Sequence, residues 1–135
     1  MGITRTATRA FTSEDIDACA RLTGDFGSHH MIGIGDRRMT QGVLTLSAVP
    51  LLAEPGVHMR ELSFTFLAPV YAGDTVTATV RATESEELGE GLVLVTCQVS
   101  VVKGDGTTVL TGTGIAELPR TLADDLATET ATERN

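Results

Sequence analysis

Polar and apolar positions alternate through the second half of the chain. Leu62, Phe64 and Phe66 alternate with Glu61, Ser63 and Thr65, the period of two expected of a half-buried strand. After the turn Ala72-Gly73-Asp74, Val76, Ala78 and Val80 alternate with Thr75, Thr77 and Thr79 in the same way. Glu84 to Gly91 is polar and bears glycines, so it reads as a hairpin connection. Leu92 to Val102 is a long β-branched run, Gly104-Asp105-Gly106 is a hairpin turn, and Thr107 to Leu118 returns. The first half is patterned differently. Ile3 to Phe11 fits a short edge strand, and Thr12-Ser13-Glu14-Asp15 fits an N-cap with an acidic first turn. Ile16, Cys19, Ala20 and Leu22 follow at helical spacing, with Gly24 as the stop. Val43 to Ala53 is apolar nearly all round, which predicts a buried helix kinked or ended at Pro50. From Pro119 the periodicity is lost, and residues 121–135 read as a mobile tail.

The predicted order is therefore strand, helix, loop, buried helix, then four strands in an antiparallel meander. This is an α+β arrangement with a sheet curled around one apolar helix. Such a sheet leaves edges that need cover, and pairing with a second copy would supply it.

Length and composition narrow the possibilities. The 135 residues, 41% hydrophobic and 21% charged, suit one globular domain with its own core. A formal net charge of −8 argues against a nucleic-acid partner. Lys103 is the sole lysine, so a polyanionic ligand would need a local arginine cluster; adjacent Arg37 and Arg38 form one, though such a pair more often reads as a solvated loop. Cys19 and Cys97 lack metal-type spacing and read as buried free thiols, which fits a reducing, cytoplasmic setting. The N-terminal residues lack the apolar core of a signal peptide, and no apolar run is long enough to cross a membrane.

The candidate chemistry lies between the two predicted helices. Gly24-Asp25-Phe26-Gly27-Ser28-His29-His30 places a carboxylate and an imidazole five residues apart, and Gly42 follows at the start of the apolar helix. An Asp and a His brought together can activate water or move a proton, and a backbone N–H at a helix start can hold a developing oxyanion. The spacing alone also fits a turn-capping Asp and a surface His. Adjacent His29 and His30 raise the question of a metal, but no third ligand has recognisable spacing, so none is expected.

Three blocks resemble the MaoC-like hotdog proteins, a family of (R)-specific enoyl-CoA hydratases and 3-hydroxyacyl thioester dehydratases. Phe11-Thr12-Ser13-Glu14-Asp15-Ile16 through Leu22-Thr23-Gly24-Asp25 is similar to the family's F-[ST]-x-x-D-[IV]…[LF]-[ST]-G-D. Phe66-Leu67-Ala68-Pro69-Val70-Tyr71-Ala72-Gly73-Asp74-Thr75 is similar to its F-x-x-P-V-x-x-G-D-[TV]. Between them lies the family's D-[FYW]-N-P-[ILV]-H, followed by H-G-x-x-x-x-S. Asp25 and His30 fall on the motif's Asp and His, Gly42 on its glycine and Ser47 on its serine.

The resemblance implies a hotdog fold over residues 1–120. It implies an Asp25/His30 acid–base dyad and an oxyanion donor at Gly42, with Ser47, His29, Gln41 and Phe26 as further substrate-binding candidates. The implied substrate is a β-hydroxyacyl or enoyl thioester on coenzyme A or an acyl carrier protein. The implied enzyme is a lyase without a cofactor, assembled as a homodimer or higher oligomer. The motif is altered, however. Gly27 replaces Asn, Ser28 replaces Pro, His29 replaces an aliphatic residue, Gln41 replaces His, and only eleven residues separate His30 from Gly42. These changes leave open a thioesterase, isomerase or cyclase in a specialised, polyketide-like pathway, or a non-catalytic acyl-binding subunit.

Overall fold

A computed structural model describes residues 2–32, 37–50, 55–128 and 131–134. Its elements are β1 (Thr4–Ala10), α1 (Ser13–Thr23), α2 (Ser28–Met31), α3 (Gly42–Leu46), β2 (His58–Phe66), β3 (Thr75–Gly89), β4 (Leu92–Lys103), β5 (Thr108–Pro119), α4 (Arg120–Thr128) and β6 (Ala131–Arg134). They form an α+β hotdog whose sheet runs β2-β5-β4-β3-β1-β6, antiparallel except where β6 joins β1. The strands after β2 make the expected meander. β2 itself departs from it by lying beside β5 rather than β3. β1 is no edge strand either, since β3 and β6 flank it.

The core is where the alternation placed it. Val76, Ala78, Val80, Val93, Val95, Val101 and Leu110 turn inward beneath Phe11 and Ile16, and all are buried. Among the described residues no helix is long and apolar enough to cross a membrane.

Four further expectations are corrected. The apolar helix after Gly42 ends at Leu46 rather than running to Ala53. Pro50 explains this, because its ring would collide with the carbonyl of Leu46 four residues earlier. The chain tightens instead, with Ala48 N bonding Thr45 O and Val49 N bonding Leu46 O. Leu51, Leu52 and Ala53 lie outside the described residues. The helix is not apolar all round in its packing, for Val43 is exposed.

Glu84–Gly89 continues β3, and the hairpin turn is only Glu90-Gly91. Both residues have positive φ (56° and 75°), the conformation that suits a two-residue hairpin. The polar residues there mislead because this end of β3 is exposed on both faces, although its partners on β4 include buried Val93 and Val95.

In β2, Leu62 and Phe66 are exposed and Phe64 is half-buried, although the alternation predicted one buried face. Among the described residues this strand ends the sheet, and only β5 pairs with it.

Finally, the region expected as a tail forms α4. Ala123 and Leu126 are buried, with Leu122 packed on the core beside them, a one-sided stripe that is apolar at helical spacing.

Candidate active site

The dyad is built by the way α1 ends. Thr12 caps the helix reciprocally with Asp15: Asp15 N donates to Thr12 Oγ1 (3.1 Å) and Thr12 N donates to Asp15 Oδ2 (2.9 Å). Gly24 closes it in the left-handed conformation (φ 75°), its N–H donating to Ala20 O. Asp25 follows immediately. Its Oδ1 accepts from Gly27 N at 3.3 Å, which fixes the carboxylate against the turn and leaves Oδ2 for another partner. That partner is His30, whose Nε2 lies 3.2 Å from Asp25 Oδ2.

The two side chains differ in setting. His30 is buried, whereas the Asp25 side chain is 47% exposed. His30 Nδ1 is 2.7 Å from Met39 O. A carbonyl only accepts, so Nδ1 carries a proton and Nε2 is the nitrogen free to exchange one. The Asp25–His30 contact therefore holds one further proton between its two atoms when it is hydrogen-bonded.

Arg38 supports this arrangement from behind. Its Nε donates to His30 O at 2.7 Å and its Nη2 to Asp17 Oδ1 at 2.6 Å, tying the backbone of His30 to α1. The same bond to Arg38 holds the Asp17 carboxyl below its ordinary range. Arg38 is thus occupied and unavailable to a polyanion. Arg37 is elsewhere: it pairs with Asp74 (3.2 Å) and lies over the Tyr71 ring (4.2 Å).

A cleft of about 520 Å³ opens beside the dyad, with His29, His30, Met39, Thr40, Gly42, Thr45 and Phe66 among its lining. Gly42 begins α3, and Phe66 lies against it so closely that a Cβ at 42 would come within 2.8 Å of the ring. His29 is exposed on the cleft wall, its ring 3.8 Å from that of His30.

The remaining candidates lie apart from this group. Gln41 is buried with its side chain turned to α1, where Nε2 donates to Ile16 O at 3.0 Å. Ser47 donates to Leu44 O at 2.5 Å and accepts from Arg9 Nη1 at 3.2 Å, in a groove on the other side of α3. Phe26 is exposed and outside the cleft lining.

Both cysteines are buried and unpaired. Burial raises both thiols, that of Cys97 to about 11, so neither supplies a thiolate near neutrality. Among the described residues no three His, Cys, Asp or Glu side chains gather as a metal site.

The sequence reading missed Arg38 as a brace, the Met39 carbonyl and the Thr40–Thr45 hydroxyl pair (2.8 Å). No local signal marks them, because the segment after Arg37 takes its place by pairing with Val70–Ala72, through Thr40 N to Val70 O and Ala72 N to Arg38 O. That ribbon delivers Met39 and Thr40 to the cleft.

No family model matches the chain. A UPF0336 protein of Clavibacter michiganensis subsp. michiganensis (strain NCPPB 382) is 37% identical over 73 residues, 49% of this chain and 48% of the relative. The chain thus spans about half the length of the curated relative it matches. Among solved structures, the (R)-hydratase from A. caviae involved in PHA biosynthesis superposes with a TM-score of 0.75 at 25% identity, over 87% of this chain and 96% of that one. A monoamine oxidase regulatory protein from Archaeoglobus gives 0.74 at 26% identity, over 89% and 90%. The MaoC-like dehydratase from Rhodospirillum rubrum shares the fold, with a TM-score of 0.66 at 17% identity, over 89% and 92%. The chain has the fold of the MaoC-like hotdog proteins. Of the residues at the motif positions, the structure places His30 and Gly42 on one cleft with Asp25 in contact with His30.

Proposed function

We propose that this MaoC-like protein is a hydro-lyase interconverting a β-hydroxyacyl and an enoyl thioester, carried on coenzyme A or an acyl carrier protein. The observation that carries the reading is the contact of His30 Nε2 with Asp25 Oδ2 at 3.2 Å, with Nδ1 already committed to Met39 O. In dehydration, carboxylate Asp25 takes the proton from C2 while imidazolium His30 gives its Nε2 proton to the departing C3 hydroxyl. Water leaves, the C2–C3 double bond forms, and the pair is left as carboxylic acid and neutral imidazole. That is the state hydration needs: His30 takes a proton from water as its oxygen adds to C3, and Asp25 returns a proton to C2. The Gly42 N–H, in the first turn of α3 where helix N–H groups lack intrahelical partners, is the candidate donor to the thioester oxygen. No cofactor enters these steps.

Support from outside the chain is the likeness to the (R)-hydratase structure. The protein works as a homodimer on this reading, because β2 is an outer strand with Leu62, Phe66 and Leu67 exposed beside it. Two unpaired buried thiols fit a cytoplasmic setting. A specialised acyl chain accounts for the altered motif.

A second reading, a non-catalytic acyl-binding subunit, is favoured by Gln41, which stands at the motif's second His and is turned away to Ile16. The two separate in one assay. The purified chain alone should hydrate crotonyl-CoA, and an inert homodimer that gains activity only with a hydratase-like partner would favour the subunit. Thiol release from saturated thioesters would point instead to a thioesterase.

A further inference from the structure

Two departures from the family motif meet in space. Position 27 is glycine where the motif has Asn, and position 29 is His where it has an aliphatic residue. A Cβ at position 27 would stand 2.8 Å from His29 Cε1, closer than a Cβ tolerates, 3.1 Å from its Nδ1 and at ordinary contact distance, 3.4 Å, from Asp25 Oδ1. The backbone at Gly27 (φ −53°, ψ 143°) is one that any L-residue adopts. Glycine is therefore not needed for the chain's course there, and what it supplies is room for the His29 ring. With that room, the ring lies 3.8 Å from the ring of His30, tilted by 47°.

The two imidazoles then have unequal tasks. Both nitrogens of His30 are engaged, one by Met39 O and one by Asp25. The ring nitrogens of exposed His29 have no hydrogen-bond partner among the described residues, and the ring lines the cleft. The other polar side chains of the lining, Thr40 and Thr45, bond each other. Met39, Phe66, Leu67 and Val70 make much of the remaining wall apolar. A polar atom of a bound acyl chain would thus find its available side-chain partner at His29.

We infer that Gly27 and His29 form one specificity device, which selects acyl thioesters carrying a hydroxyl beyond C3 over plain aliphatic ones. The inference rests on the cleft being the acyl-thioester site. C3 is the carbon addressed by the dyad, and the inference sets His29, packed against His30, beside the chain atoms beyond C3. A ring nitrogen there hydrogen-bonds a distal hydroxyl, whereas an aliphatic chain offers that nitrogen nothing in place of water.

The test is equilibrium binding of two saturated probes, hexanoyl-CoA and 5-hydroxyhexanoyl-CoA, by calorimetry. The unaltered protein should favour the hydroxylated probe about fivefold, the worth of one hydrogen bond. His29→Leu should bring the ratio of the two Kd values to about one. Gly27→Ala should do the same without touching His29, by pushing its ring aside, and the double variant should lose nothing more. His29→Gln, which keeps a donor and an acceptor, should retain part of the preference. A purely structural disturbance would weaken both probes alike and leave the ratio in place. An equal ratio in all these proteins, a Gly27→Ala variant that keeps the preference, or no binding of either probe by the unaltered protein would overturn the inference. Hydration of trans-2-hexenoyl-CoA, measured separately, reports on the hydro-lyase reading. Turnover with an unmoved ratio defeats only the specificity device, whereas a ratio that moves without turnover defeats only the hydro-lyase.

Discussion

His30 reaches its working state through what holds its far side. Met39 O fixes Nδ1–H, and Arg38 fixes the carbonyl of the same residue, so the ring can neither rotate nor shift without breaking one of them. Arg38 is accordingly a positioning residue. Arg38→Met should lower kcat of enoyl-thioester hydration by about tenfold, well short of the loss from removing a general acid–base partner. Arg38→Lys should not rescue it, because one ammonium cannot match the fork that spans His30 O and Asp17. Steady-state kinetics on the two variants check this.

Asp17 carries the pH consequence of the same contact. Its carboxyl is held below the ordinary value by Arg38, so the folded state prefers it ionised. The resulting stability is present above the unfolded value of about 3.9 and is lost as pH falls through the lower folded one. Thermal melts from about pH 5 downward should therefore fall less steeply for Asp17→Asn than for the unaltered protein.

At the scale of elements, the first helix was legible end to end. Thr12, Asp15 and Gly24 are local signals, and each does in the structure what its chemistry predicts. Thr12→Ala should cost about 1 kcal/mol, read by denaturant melts. The cap also sets where α1 begins, and α1 sets where Asp25 emerges. The helix after Gly42 was less legible because composition and covalent geometry disagree there. Its residues are apolar enough for three turns, yet Pro50 stops the helix at Leu46. Within the site, Asp25, His30 and Gly42 were readable from motif spacing. Arg38 and Met39 were not, since their roles come from a ribbon closed by Val70–Ala72, far along the chain. Ser47 shows the converse. Its offset on a helix is local information, but the face that the offset selects depends on what the helix packs against.

For the whole molecule, the sheet's alternation announced its core, while its order and its ends were not announced. Nothing local says that β2 pairs with β5, because strand order is decided by crossovers and by burial of faces. The C-terminal helix escaped notice because Thr, Ala and acidic residues hide a narrow stripe of Leu122, Ala123 and Leu126. Leu126→Ala should destabilise the protein by about 2 kcal/mol or more, a buried-leucine loss that an unstructured tail could not produce. At the β2 edge of the sheet, the exposed apolar side chains are the surface on which the homodimer reading depends. Light scattering on the purified protein should give twice the chain mass, and Leu62→Glu with Phe66→Glu should return it to the monomer.

All of these expectations serve one claim, that Asp25 and His30 each exchange a proton with the substrate while water adds to or leaves a thioester. Loss of enoyl absorbance from crotonyl-CoA, followed with purified protein and with Asp25→Asn and His30→Ala, tests it directly. The unaltered protein should hydrate the thioester, and each variant should be slower by about 10²- to 10⁴-fold while melting normally. Well-folded variants that keep full activity would contradict the account.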